Sequence, residues 1–273
     1  MNMKKLLLAS SLSLLGLAAS ATPADPLVAG GFTPGAPLTI NFVGESATDF
    51  LIPVNSGAQN TWGEGVVSYI TDSYNHFWSP SNGDFLFYTI TGISDTKITT
   101  VGPSTYVDSV GSDIAHGGDG FIHLNLYLMS AAPSGYGCII SSTCVAAVDP
   151  FSGTPYLAIT FKAGIDSTDP SAQLYQSLSA NDNDGSGLGS FYAGVSGGTN
   201  SAEWLLHGGN FLTGNFTVNP LNKKICQAVE NPSIDGSTFC SKIADPIETP
   251  EPASLAMVGL GLAALARLRR RKE

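Results

Sequence analysis

Four groups of residues in this chain have the types and spacing that chemistry requires. Gly194-Val195-Ser196-Gly197-Gly198 fits the G-x-S-x-G nucleophile elbow, in which a sharp strand-to-helix turn exposes a serine hydroxyl beside an oxyanion hole. The chain holds 31 glycines, so such matches arise by chance, and it lacks the alternating strand-helix pattern that a hydrolase of that class needs. Asp182-Asn183-Asp184-Gly185 offers clustered carboxylate and carbonyl oxygens for a hard cation. An EF-hand is excluded, because its first and twelfth ligand positions would fall on Ala180 and Phe191. No cofactor is expected apart from calcium on a looser site using Asp182, Asp184 or Asp119, with a solvated polar turn as the competing reading. His76, His116, His123 and His207 are scattered, and no two stand at zinc-ligand spacing. Trp62, Trp78 and Trp204, with Tyr74, Phe77 and Tyr88 near them, could present flat rings to sugars or fill a core.

These side chains need a frame, and the sequence describes an all-β one. Phe121 to Met129 alternates so that Ile122, Leu124, Leu126 and Leu128 face one side and His123, Asn125 and Tyr127 the other. Similar runs recur at 38–43, 65–71, 85–91, 97–101, 156–162, 190–195 and 211–218, separated by Gly, Asn, Asp and Pro. The expected architecture is a single antiparallel β-sandwich of the jelly-roll type. One helix is predicted from Pro170 to about Leu178, with Asp169 as its N-cap. Residues 179–189 read as a polar loop, and residues 219–252, with prolines at 220, 232, 246, 250 and 252, as an extended tether.

The two ends have a different composition. Lys4 and Lys5, the apolar run from Leu6 to Ala19 and the small residues Ala19-Ser20-Ala21 form the three regions of a cleavable secretory signal peptide, with cleavage after Ala21. At the other end, Pro250-Glu251-Pro252 precedes an uncharged stretch from Ala253 to Ala266. Arg267, Arg269, Arg270, Arg271 and Lys272 follow. Fourteen helical residues reach about 21 Å, a thin span against a hydrocarbon core of about 30 Å, and the basic end stays cytoplasmic. The motif, the short helix and the basic end, in that order over residues 249–273, resemble the PEP-CTERM sorting signal of Gram-negative bacteria. The resemblance implies recognition and processing by an exosortase in the inner membrane, then a place at the cell surface or outside the cell.

Export sets the remaining expectations. Between residues 22 and 252 there are five lysines, no arginine and twenty-one acids, a formal charge of −16. That field repels nucleic acid and anionic lipid. Cys138, Cys144, Cys226 and Cys240 are expected to form disulfides in an oxidising compartment. Of the three pairings, Cys138 with Cys144 and Cys226 with Cys240 is favoured, because each closes a short loop. The domains are then a signal peptide (1–21), a β-sandwich (22–218), a disulfide-containing linker (219–249) and a sorting signal (250–273). The functional expectation is a non-enzymatic structural or exopolysaccharide-associated surface component. A secreted hydrolase acting on matrix glycans through a pair of carboxylates is the alternative.

Overall fold

Alternation of apolar and polar residues is carried into strands almost throughout. The computed structural model describes residues 23–49, 52–81, 84–131, 153–179, 187–220 and 238–248. In chain order the elements are α1 (Pro26–Gly30), β1 (Leu38–Asp49), β2 (Thr61–Asp72), β3 (Phe77–Trp78), β4 (Phe85–Val101) and β5 (Ser104–Gly111). A 3-10 turn (Ile114–His116), β6 (His123–Met129), β7 (Leu157–Lys162), β8 (Leu174–Ser179) and β9 (Gly187–Gly197) follow. Last come α2 (Ser201–Leu206), β10 (Leu212–Pro220) and β11 (Thr238–Glu248).

Among the described residues all strand pairings are antiparallel, and eleven strands form one sheet. The all-β expectation holds, and the described strands join in one sheet where a sandwich has two. Hydrogen bonding runs β2–β1–β11–β10–β9–β7–β6–β4 and returns from β4 to β2, so the sheet closes on itself as a barrel does. The 17-residue β4 makes this closure because its first half lies between β2 and β6, and it then changes partner along its length. Phe85–Thr91 pairs with β6, and Ile93–Val101 pairs with β5. The switch falls at Gly92, where φ is 79° and a Cβ would lie 2.6 Å from the Phe121 carbonyl oxygen, so glycine is required there. Leu38, Ile40, Ile70, Leu86, Leu126, Leu157 and Ile159 point inward and are fully buried. Phe161 stacks on Phe191 at 4.2 Å within the same core.

Two expectations about elements fail. The stretch after Asp169 is not a helix. Asp169 closes a turn by accepting from the Ser171 amide and hydroxyl, and Leu174–Ser179 becomes β8 between β5 and β9. Paired edges on both sides outweigh a good N-cap and N1 proline. The supposed tether is likewise corrected over its last part, because Thr238–Glu248 is the interior strand β11. It pairs with β1 over eleven positions, from Thr39↔Glu248 to Asp49↔Thr238, and with β10 on its other side. Pro246 misleads because it sits where a central strand rarely tolerates proline, and the β10 ladder skips the positions opposite Asp245 and Pro246.

One end of the barrel is closed by the chain preceding β1. Leu27 and Phe32 plug the core against Trp78, Tyr156 and Trp204. Polar bonds fasten the plug. Asp25 caps α1 by accepting from the Leu27 amide (2.9 Å), and it also accepts from the Tyr156 hydroxyl (2.8 Å) and from Asn200 Nδ2 (2.8 Å). The Ala24 amide donates to Asp84, the Thr33 amide to Asp72, and buried His207 bonds the Ala36 carbonyl through Nδ1. Thr39, Glu248 and Thr213 are register partners at this same end.

Candidate functional site

A face shared by β4, β5, β8 and β9 brings carboxylates and aromatic rings together. Register places Lys97, Asp108 and Tyr175 in one row across the sheet, continued by Ser190. Thr99, Tyr106 and Ser177 form the neighbouring row. Because side chains alternate along a strand, Tyr106 and Asp108 project on one side of β5. Tyr106 stacks on Tyr175 with centroids 6.1 Å apart and an interplanar angle of 20°. The loop between β7 and β8 lays Asp166 beside Asp108, close enough for the two carboxyls to share a hydrogen bond.

The two carboxyls differ in character. Burial raises the pKa of Asp108, and the Asp166 charge adds to that; the Lys97 ammonium, 3.9 Å away, opposes it. Asp166 is held below the ordinary carboxylate value by the Thr168 hydroxyl (2.6 Å) and amide (2.9 Å). Asp108 Oδ1 is buried and receives no hydrogen bond, which adds to the cost of its ionised form. Tyr175 is also raised, first by burial and then by Tyr106, Asp166 and Asp108. Flat rings flanked by acceptors suit a hydroxyl-rich ligand, whose ring faces stack and whose O–H groups donate. As a hydrolytic pair the carboxyls are badly spaced, since glycoside cleavage needs them about 5–10 Å apart, with the bond between them.

The residues singled out from the sequence lie elsewhere. Trp62, Trp78 and Trp204 are all buried, as is Tyr88, so none presents a ring to a glycan. Tyr74 and Phe77 are exposed at the β2–β3 turn, where Phe77 stacks on Tyr69. Ser196 sits inside β9 and donates to the Ala158 carbonyl oxygen, with no strand-to-helix elbow around it. The histidines are dispersed. His76 pairs with Asp72, His116 with Asp113, and His123 with Asp119, while His207 is buried. Among the described residues no group of three His, Cys, Asp or Glu is arranged to hold a metal. Asp119 is engaged by His123 Nε2 and the Phe121 amide. Asp182, Asp184, Ala19, Ala21, Pro250, Glu251, Pro252, Cys138, Cys144 and Cys226 lie outside the described residues. The backbone of Cys240 lies in β11 opposite Ala47.

Tyr106, Asp108, Asp166 and Tyr175 escaped the sequence reading. The legible signal for the first two was Thr105-Tyr-Val-Asp-Ser-Val110, a short run rich in β-branched and aromatic residues just after the Gly102-Pro103 turn. Asp166 and Tyr175 carry no signal of their own, because register and a loop bring them in.

The closed β-domain is followed in the sequence by Pro250-Glu251-Pro252, an apolar stretch and a basic end, and among the described residues no helix is long and apolar enough to cross a membrane. Residues 248–272 match the family described as the PEP-CTERM protein-sorting motif, so the chain carries the sorting signal of an exosortase-processed exported protein. No curated protein and no solved structure matches the chain.

Proposed function

We propose that this is a non-enzymatic structural component of the cell surface or extracellular matrix that associates with exopolysaccharide through the β5–β8 face. The tail holds the chain in the inner membrane until an exosortase-type enzyme processes it, and the domain then reaches the surface. The observation that carries the glycan reading is the stacked Tyr106–Tyr175 pair beside the Asp108–Asp166 carboxyls. A catalytic role for the same carboxyls is disfavoured by their direct contact, which leaves no room for a scissile bond between them. Secreted glycan hydrolysis therefore stands second.

The test is depletion of the mature protein by the producing organism's insoluble exopolysaccharide, with and without calcium, scoring bound protein and released sugar together. Retention without sugar release is expected. Tyr106→Ala and Tyr175→Ala each remove a stacking ring worth about 0.5–1.5 kcal/mol, so each weakens retention about 2- to 10-fold. Released sugar would put the hydrolase first, and retention unaffected by both substitutions would sink the assignment of this face.

A further inference from the structure

We infer that the plugged end of the barrel, carrying Val28, Tyr74, Phe77 and Leu206, rests on the lipid bilayer surface while the tail is inserted. This rests on the reading of the tail as a membrane anchor. Four residues, Thr249–Pro252, separate the end of β11 from the apolar stretch that begins at Ala253. Fully extended, they reach about 14 Å. The headgroup layer takes up about 5–7 Å of that distance, so the domain has little freedom to stand away from the bilayer. The leader gives the same result independently. Ser20–Pro23 is again four residues, between the apolar run ending at Ala19 and Ala24, whose amide is bonded to Asp84. Both membrane-directed segments therefore leave the same end of the barrel, on short connections.

That end is fitted for a lipid surface. Val28 on α1 is 77% exposed, Tyr74 65%, Phe77 57% and Leu206 on α2 60%. Aromatic and aliphatic side chains of this kind partition into the headgroup boundary. Of the carboxylates at this end, Asp25, Asp72 and Asp84 are turned onto protein donors. Glu203, in the first turn of α2, and Glu248, at the end of β11, also belong to this end. The contact is made by the apolar side chains, and with Glu203 and Glu248 at its margin it is not favoured by anionic lipid. Asp113 and Asp119 stand on the loops between β5 and β6, where Asp113 approaches Gly57 in the β1–β2 connection at the opposite end.

The experiment uses the unprocessed full-length chain in phosphatidylcholine vesicles carrying brominated acyl chains, which quench nearby indoles. Leu206→Trp and Phe77→Trp probe the plugged end, Ile114→Trp the far end, and the unsubstituted chain with its three buried tryptophans sets the baseline. Added emission at position 206 or 77 is expected to fall at least about twofold in brominated relative to ordinary vesicles, while that at 114 is unchanged. If the chain resists alkaline extraction but neither probe is quenched more than the one at 114, the docking is overturned and the anchor survives. Should alkali extract the chain, the anchor reading fails and the docking with it.

Discussion

Replacing Asp25 with alanine tests the plug directly, because one carboxylate serves three donors from three segments. It caps α1 through the Leu27 amide, receives the Tyr156 hydroxyl, and receives Asn200 Nδ2. Loss of an N-cap costs about 1 kcal/mol. A hydrogen bond to a charged acceptor contributes about 1.5–3 kcal/mol. Asn200 Nδ2 also donates to the Tyr156 oxygen at 2.8 Å, so those two groups retain each other when the carboxylate is gone. The expected net loss for Asp25→Ala is therefore about 3 kcal/mol, below the sum of the separate contributions. For a domain of this size that lowers the melting temperature by about 6–12 °C. Urea unfolding of the mature chain, with Asn200→Ala and the double variant completing a cycle, measures both the loss and a coupling of about 1 kcal/mol or more. Protease digestion supplies the local readout, with cleavage expected between Pro23 and Ala36 well before global unfolding. A loss under about 0.5 kcal/mol with that segment still protected would refute the claim that Asp25 fastens the plug.

Four other expectations are open to measurement. Burial works to raise Asp72, but hydrogen bonds from His76 and from the Thr33, His76 and Tyr74 amides prevail and hold it below 3.8. Its contribution is present above that pH and is lost as pH falls toward the folded value, so Asp72→Asn is less stable at neutral pH and shows a flatter acid limb. Asp108 is raised, so its cost accrues as pH climbs past 3.8 through the folded value; Asp108→Asn removes that slope in pH-dependent unfolding. A chain stopped after Glu248 keeps a cooperative melt, whereas one stopped after Ser237 loses β11 and binds a hydrophobic dye at room temperature. Gly214→Ala places a methyl 2.2 Å from the Phe191 ring and costs about 1–3 kcal/mol by chemical denaturation, since that ring is pinned on Phe161.

Local patterns were legible wherever one face of a strand meets the core and the other meets solvent. The strand around Leu124 and Leu126 is the clearest case, and even there Tyr127, on the opposite face, is buried in a second cluster with Phe87. The closure of the sheet was not legible, because it depends on the first half of β4 pairing with β2 on one side and β6 on the other, a choice made by pairing at a distance. β11 was hidden by Pro246, and β8 by a turn whose Asp-Pro pair also starts helices. The address at the C-terminus was fully legible, since it is a linear signal that owes nothing to packing. Site residues stood at the other extreme. Tyr106 and Tyr175 are 69 positions apart and meet through register on adjacent strands.

The placement of β11 gives the order of synthesis a consequence. The strand that seals β1 to β10 is the last part of the domain to be made and exported, and the sorting signal follows it at once. A product that terminates early therefore lacks both its closing strand and its address, and it exposes two unpaired edges to any protease or aggregation partner it meets. A chain that presents the signal has already delivered the residues needed to finish folding. Handing over the address thus doubles as an inspection for completeness, performed by the order of the sequence without any separate sensor.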